Sequence, residues 1–586
     1  MAVDLSPTIS LDGSELSASW QAALIEVRCD LQLAQPGRIA LRLLDPGYAL
    51  LDAGKVGLGT ALTVTIPGAS SPLIEGEVTE VGCEQREGEQ PELIVVAHDL
   101  SHRLARMTAV GTYLNSTVEQ VVSQLAQIAN LTPDISGASQ QVDYLLQVDT
   151  NLGLIDELAS RTGCDWWVGG KTLHFATPAK GTSVKLSLGS TLRSFSARAT
   201  GYHADSFVVD GWNRDQQQTV TGESSEATKA VLASSQLSEI ATKTSDAFGK
   251  ATVVTSSVGA RTQSEAKMLS QSLLDHQLAS SVEAWGVADA SVALQLTDVV
   301  EVANAGPLSG DYPVTALEFS YRPHRGSLMR FRCGDRRRGS VLGQGKGGGD
   351  RHRSIVSHPG LIVGLVTNIN DPNNQGRVKV RFPGLSSNDE SDWARLAGIG
   401  GGDNRGSVFV PEVNDEVLVG FEGGDTRLPV VIGGLYGSQS VIPTPDVSDG
   451  KVQARQIQSR LGHYFKFLDG TTSATQAIEL VLAGGNNLIH LGKDKLAVQV
   501  PSGTPIDIVA GSSNITVAGS GAITIKGSSI SIEADGQLEL KGATVTVAAT
   551  GSLSVQSDGA ATLKGSTVAI QGSSSVSVVG STVSIN

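Results

Sequence analysis

Over the last quarter of the chain, apolar residues come in pairs two positions apart, and the pairs recur at a near-constant interval. They read Leu496/Val498, Ile506/Ile508, Ile515/Val517, Ile523/Ile525, Ile530/Ile532, Leu538/Leu540, Val545/Val547, Leu553/Val555, Ala561/Leu563, Val568/Ile570, Val576/Val578 and Val583/Ile585. From Ile515 onward every step is seven or eight residues. The members of a pair share one face of a strand, while Gly, Ser, Thr, Asp and Lys fill the turns between pairs. Short strands of this kind, rich in Val and Ile and weakly charged, aggregate if their edges and faces stay open, so the repeat must be closed. Two closures fit the spacing: one chain coiling with three pairs per turn, or three chains winding round one another. No aromatic follows Phe467 and no arginine follows Arg460, which implies a narrow interior.

A chain of 586 residues is too long for one core and should divide into several domains. With 67 glycines and 4% aromatics it reads as rich in strands and turns rather than disordered. A formal charge of −15 argues against a nucleic-acid or anionic-membrane partner. The N-terminus lacks a basic region followed by an apolar run, so no secretory signal is expected, and no uninterrupted apolar stretch of about 18 residues offers a membrane span. Cys29, Cys83, Cys164 and Cys333 have neither metal-site spacing nor the density of a disulfide framework, and buried thiols are expected.

Residues 1–333 alternate strand and helix patterns. Period-two runs lie at residues 39–43, 62–66 and 93–96. Ser116-Thr117-Val118-Glu119 has the spacing of a capping box, followed by a helical stripe of Val118, Val121, Val122, Leu125 and Ile128 that ends before Asn130. A second helix is expected from Leu152 to Arg161, stopped by Gly163, and then a hairpin of residues 165–168 and 172–175 across Gly169-Gly170. Further on, strands are expected at 204–210 and 291–302 and helices at 227–241 and 264–278. Residues 334–359, with Arg336-Arg337-Arg338 and Gly347-Gly348-Gly349, have the composition of a linker. Gly343, Gly345 and Gly348 fit a phosphate-binding glycine pattern only by spacing, with no strand before them and no helix after. Residues 360–437 hold five strand candidates, at 361–366, 377–382, 393–397, 416–421 and 430–432, which suit a small barrel of the OB type. In the second, Arg377, Lys379 and Arg381 share one face and Val378, Val380 and Phe382 the other. Residues 438–495 form a transition, and residues 496–586 the repeat.

Within the barrel block, the run from Val366 through Asp371, Pro372, Gly376 and Arg377 to Phe382 and Pro383 carries a specific pattern. It continues in Ser391-Asp392-Trp393-Ala394-Arg395, in Pro411 through Asp415 and Glu416 to Phe421, and in Gly424-Asp425 with Pro429 to Gly433. In order and spacing these pieces resemble the barrel of VgrG and related phage-tail spikes. Upstream, Ala97 to Leu104, the helix after Ser116 and residues 154–175 resemble the late-control-D, or baseplate-hub, half of such proteins. Downstream, Gly462-His463-Tyr464-Phe465-Lys466-Phe467 and the repeat resemble the spike stem. Two features depart from the family: Gly384 stands where a Trp often follows the Phe-Pro, and the short stretch between Tyr436 and Gly462 leaves no room for the lysozyme domain that some phage spikes insert, since even a small domain needs roughly 50 residues.

The resemblance implies a mainly β fold with some α in the N-terminal half. It would combine a hub of barrel-like domains, an OB-type barrel, and a C-terminal β-helix or β-prism intertwined from three chains. It implies a homotrimer that adapts a hexameric tube to a membrane-piercing needle in a contractile injection system. Its partners would be the inner-tube protein, baseplate proteins, a PAAR-type tip protein and effectors, with the target membrane met only on injection. The expected trimer core is Ile515, Val517, Ile523, Ile525, Ile530, Ile532, Leu538, Leu540, Val545, Val547, Leu553, Val555, Val568, Ile570, Val576 and Val578, with Val583, Ile585 and Asn586 against the tip protein. The protein would be made in the cytoplasm and assembled into a phage-tail-like particle, cytoplasmic or extracellular after release. A type VI secretion spike is the alternative within the family, and a secreted glycan-binding or glycan-cleaving β-helix the alternative outside it.

Motifs for chemistry are sparse. His98 and His102 form the closest histidine pair, but without the acidic base of an HExxH motif or further ligands, so core or surface roles are expected rather than metal binding. There is no GxSxG elbow and no Walker lysine. Glu84, Glu87 and Glu89 sit in a polar turn, so no enzyme activity and no cofactor are expected. An OB barrel can bind single strands through a basic groove and exposed aromatics, but Phe382 and Phe421 fall on apolar faces and the net charge opposes that role.

Overall fold

The structure, a computed structural model, describes residues 6–66, 69, 71–106, 108–256, 260–289, 294–336, 360–384, 389–443 and 446–585. It divides into two compact units, Met1–Ile442 and Pro443–Asn586. The fold is mainly β, and among the described residues the α-helices all precede residue 280.

The first unit is built on a large sheet that draws its strands from both ends of residues 6–336. From one edge the order is Leu192–Ala199, Val282–Asp289, Gly326–Cys333, Gly310–Arg322, Leu24–Gln32, Arg38–Leu44, Glu92–His98, Ile74–Glu84, Ala61–Thr65 and Thr8–Leu11. The seam is the antiparallel pairing of Leu24–Gln32 with Gly310–Arg322, which sets Cys29 opposite Phe319. Alternation puts Val27, Cys29, Ile39, Leu41, Leu43, Phe319, Met329 and Phe331 into the main core. The opposite face carries ion pairs, Arg28 with Asp30 along one strand and, across strands, Arg28 and Arg330 with Glu318 and Arg42 with Glu92. Gly286 is required by packing, because a Cβ there would lie 2.1 Å from the Phe331 ring.

Buried among the loops of this sheet is Asp99, whose carboxylate accepts from the backbone N–H of Gly37 at 2.5 Å and of Ser101 at 2.9 Å. Burial outweighs those bonds and pushes its pKa up from the ordinary 3.8 to about 6. A raised folded-state pKa contributes stability that is complete below the unfolded value and is lost as pH rises through the folded one. The urea midpoint should therefore fall between about pH 4 and pH 6.5 by the equivalent of at most ~3 kcal/mol. Asp99→Asn should flatten that slope, and an unchanged slope in the variant would exclude Asp99 as its source.

A second core surrounds two helices, α1 (Val118–Ile128) and α2 (Asn151–Thr162), and the hairpin of Asp165–Gly169 with Thr172–Ala176. The capping box of α1 lies one residue later than the spacing implied. Thr117 is the cap, its side chain accepting from the Gln120 N–H while the Gln120 side chain accepts from the Thr117 N–H. Ser116 instead lies within the strand Gly111–Thr117 and donates to the Leu114 carbonyl. The α2 helix ends as expected, with Gly163 in the left-handed region at φ 70°. The helix expected over 227–241 is mostly absent. Only Gln236–Ala241 is α-helical, with Lys229–Val231 a single 3-10 turn, because Ser234 and Ser235 pair with Asp311 and Gly310 as a short strand and Ser235 then caps the helix. The helix expected at 264–278 is present as α3 (Gln263–Ala279), and strand Ser206–Asn213 covers the expected 204–210. Of the strand expected at 291–302, residues 291–293 lie outside the described residues, and the strand itself is Val299–Ala303.

The barrel comprises β1 (Ile362–Asn368), β2 (Lys379–Arg381), β3 (Arg395–Leu396), β4 (Glu416–Phe421) and β5 (Pro429–Gly434), in the order β2-β1-β4-β5-β3. All five fall where the sequence places strands. Val378, Val380 and Phe382 are buried, and Phe421 packs against Phe382 at 5.9 Å between ring centroids. Of the linker, residues 337–359 lie outside the described residues. Arg336 is buried against Asp165, a contact to an acidic neighbour rather than a free tether.

In the second unit, β6 (Ala454–Gln458), β7 (Tyr464–Asp469), β8 (Gln476–Val481), β9 (Leu488–Gly492) and β10 (Leu496–Gln499) form an antiparallel meander. A three-stranded meander follows, of β11 (Ile506–Ala510), β12 (Ser513–Val517) and β13 (Ile523–Lys526). Residues 527–585 form no strand within the chain.

Candidate functional site

Two features of the chain have the geometry of working parts: a charged joint inside the first unit and an uncovered apolar repeat in the second. At the joint, the strand Gln141–Gln147 inserts Tyr144 and Leu146 into the barrel core beside Val366, Val380, Val417 and Val431. Thr426 donates to the Leu146 carbonyl at 3.3 Å, and Thr112 to Asp389 at 2.9 Å. Alongside these lies a cluster of five charges. Arg427 of the barrel meets Glu265 of α3 at 2.8 Å and Asp425 at 2.8 Å. Arg161 of α2 meets Glu157 at 2.9 Å and stands 3.7 Å from Glu265 and 3.9 Å from Asp425. Burial pushes the Asp425 pKa up, yet Arg427 and Arg161 hold it down at about 2. Burial likewise works against the Arg427 charge, and Asp425 and Glu265 raise its pKa above the ordinary value. Asp425 and Arg427 are thus held as an ion pair.

Of these residues the sequence reading touched only Asp425, as part of a motif, and Arg161, as a helix end. Glu157 and Arg161 are four apart, a spacing that normally marks a solvated pair. Nothing local distinguishes their burial, at 6% and 9% side-chain exposure.

The residues expected to form the trimer core are all uncovered in the single chain. Their exposure runs from 38% at Val517 to 82% at Val555. Ile515 and Val517 on β12 face Ile525 and Ile523 on β13. The remaining pairs, from Ile530/Ile532 to Val576/Val578, lie in the segment without in-chain strands. Val583 and Ile585 are exposed as well, and Asn586 lies outside the described residues.

Other candidates are dispersed. His98 ends a strand and pairs with the Thr79 hydroxyl at 2.7 Å, while His102 opens a short helical turn and meets Glu77 at 3.3 Å. The intervening turn breaks the helical spacing that a shared metal would need. Among the described residues no three or more His, Cys, Asp or Glu side chains group so as to hold a metal ion. The basic stripe of the second barrel strand is locally neutralised, with Arg377 on Asp371 at 2.8 Å and Lys379 on Glu390 at 3.5 Å. Among the described residues no helix is long and apolar enough to cross a membrane.

Residues 362–436 match the family model of the type VI secretion system/phage-baseplate injector OB domain. Over 72 residues the chain is 44% identical to the type VI secretion system spike protein VgrG5 of Pseudomonas aeruginosa, and over 74 residues 40% identical to VgrG3 of Vibrio cholerae. The barrel is VgrG-like. Residues 4–297, just over half of the chain, match the model of the Alg8 N-terminal domain, and the chain belongs to that family. The two curated alignments cover 12% of the chain and only 9% and 7% of their relatives. The fold likeness is wider. A Francisella PdpA–VgrG complex, half-lidded, aligns over 84% of the chain and 87% of its own at TM-score 0.50 and 8% identity. A lidless PdpA–VgrG complex aligns over 84% and 97% at TM-score 0.52 and 9% identity.

Proposed function

We propose that this chain is the structural central spike of a contractile injection machine, assembled from three copies and without a catalytic step of its own. In this reading residues 1–333 are a hub beneath a hexameric tube, 334–359 a linker, 360–437 a collar, 438–495 a transition and 496–586 a three-chain needle. The observation that carries it is the repeat: a long run of evenly spaced apolar pairs that one chain leaves exposed and, from residue 527 on, without strand pairing. A single-chain coil with three pairs per turn would hydrogen-bond successive turns within the chain. Three chains supply the missing walls. A separate capping protein of the PAAR type would sit against Val583 and Ile585, with effectors carried beside it.

The hub pattern favours a phage-tail-like particle, whereas the named relatives of the barrel are type VI spikes, which supports a type VI apparatus as the second reading. Purified protein should have a native mass of about three times 60.7 kDa. A stable 60.7 kDa species under non-denaturing conditions would overturn the proposal.

A further inference from the structure

We infer that the five-stranded meander β6–β10 is a docking platform on which two further copies of this chain close, and that this platform sets the register of the repeat that follows it. The inference rests on the three-copy reading and adds where the copies first meet.

The strand pairings align apolar residues in rows across one face. Ile457 stands opposite Phe465, Phe465 opposite Leu480, Leu480 opposite Ile489, and Ile489 opposite Val498. Next to this row, Phe467, Ile478, Leu491 and Leu496 form another. Leu480 and Ile489 are 53% and 46% exposed, so the face has no cover within the chain. On the opposite face a polar row of Gln456, Lys466, Glu479 and His490, with Glu479 meeting His490 at 3.0 Å, lies between Tyr464, Val481 and Leu488 on one side and Leu468 and Ala477 on the other. Ala477 and Val481 are buried within the chain, so the uncovered apolar rows are those of the first face.

The occupant follows from continuity. Leu496 and Val498 are both the last strand of the platform and the first pair of the repeat. The apolar pairs therefore continue along the sequence from this sheet into the segment that two other copies must cover. Both outer strands also keep one free edge among the described residues, since β6 pairs only with β7 and β10 only with β9. Sheets with two open edges can meet edge to edge around a common axis and bury their apolar faces inward.

Register gives the platform its role. Beats seven or eight residues apart and nearly alike in chemistry can slide by one beat and still set apolar against apolar, so the repeat alone specifies alignment weakly. The platform holds features that no slipped pairing reproduces. Phe465 and Phe467 are the last aromatics of the sequence and meet edge to face at 4.7 Å. The platform is hydrogen-bonded within each copy, whereas residues 527–585 form no strand until copies meet. Each copy can thus bring a finished sheet to the encounter, and the repeat zips from it.

The test uses the full chain, diluted from denaturant and followed by native mass against time. A Phe465→Ala/Phe467→Ala variant should form trimer at least about ten-fold more slowly than the unsubstituted chain. A Val568→Ala/Ile570→Ala variant should assemble within about two-fold of it, while dissociating at a lower temperature. Equal slowing of both variants, or none in the first, overturns the inference. A second measurement does not depend on variants refolding: a thiol introduced by Ile489→Cys, read against the unsubstituted chain, should label at least about ten-fold more slowly in assembled protein than in dissociated chains. A trimer in which that thiol labels freely overturns the platform and leaves the spike reading standing. An unsubstituted chain that stays monomeric takes down both.

Discussion

Replacing Arg427 by Ala should destabilise the first unit by about 3–5 kcal/mol, the range for removing one member of a buried charge pair. Asp425, with 3% side-chain exposure, loses its direct partner, and Glu265 loses the contact that ties α3 to the barrel. Arg161 stands 3.9 Å from Asp425 and does not replace a fork bound to both carboxylate oxygens. The measurement is the urea midpoint of the full chain together with protease sensitivity between hub and barrel. Asp425→Asn combined with Arg427→Met should recover much of the loss, because neutralising both partners removes the uncompensated ion. If Arg427→Ala alone stays within about 0.5 kcal/mol, as for an exposed ion pair, the cluster does not hold the joint.

Val545→Asp together with Val547→Asp should abolish the trimer. In three chains closed round one axis, each substitution puts three carboxylates at one level of a narrow apolar interior. Burying even one unpaired carboxylate costs several kcal/mol, and like charges add to that. Native mass should drop from about three times 60.7 kDa to 60.7 kDa. Thr544→Asp, one position from the pair and facing the other way along an extended strand, should leave the mass unchanged. Trimers in both cases would mean that Val545 and Val547 face solvent in the assembly.

The sequence was most legible where one period dominates. The barrel strands were readable because each alternates over a few residues between turns, and Val378, Val380 and Phe382 fell on the face that is buried. It was least legible where partners are distant. Period-two alternation says which face a residue takes but not which strand lies beside it, so the pairing of Leu24–Gln32 with Gly310–Arg322 left no local trace. The same limit hid the five-stranded meander, whose last strand supplies Leu496 and Val498, read from sequence as the first beats of the repeat. Residues 227–241 looked helical because they lack Gly and Pro. A two-residue pairing with Gly310 and Asp311 overrides that propensity. The charged joint was invisible for a different reason: Glu157, Arg161, Glu265, Asp425 and Arg427 gather only after three distant segments pack.

The seam between Leu24–Gln32 and Gly310–Arg322 has a consequence for how the protein is made. A ribosome adding about 5–20 residues per second needs roughly 15–60 s to reach the second strand after finishing the first. Through that interval the early strand has its Arg38–Leu44 neighbour on one side and nothing on the other. Nascent chains therefore carry an open edge for much of their synthesis. A transcript truncated before residue 310 would release that edge permanently, yielding insoluble product rather than a smaller hub.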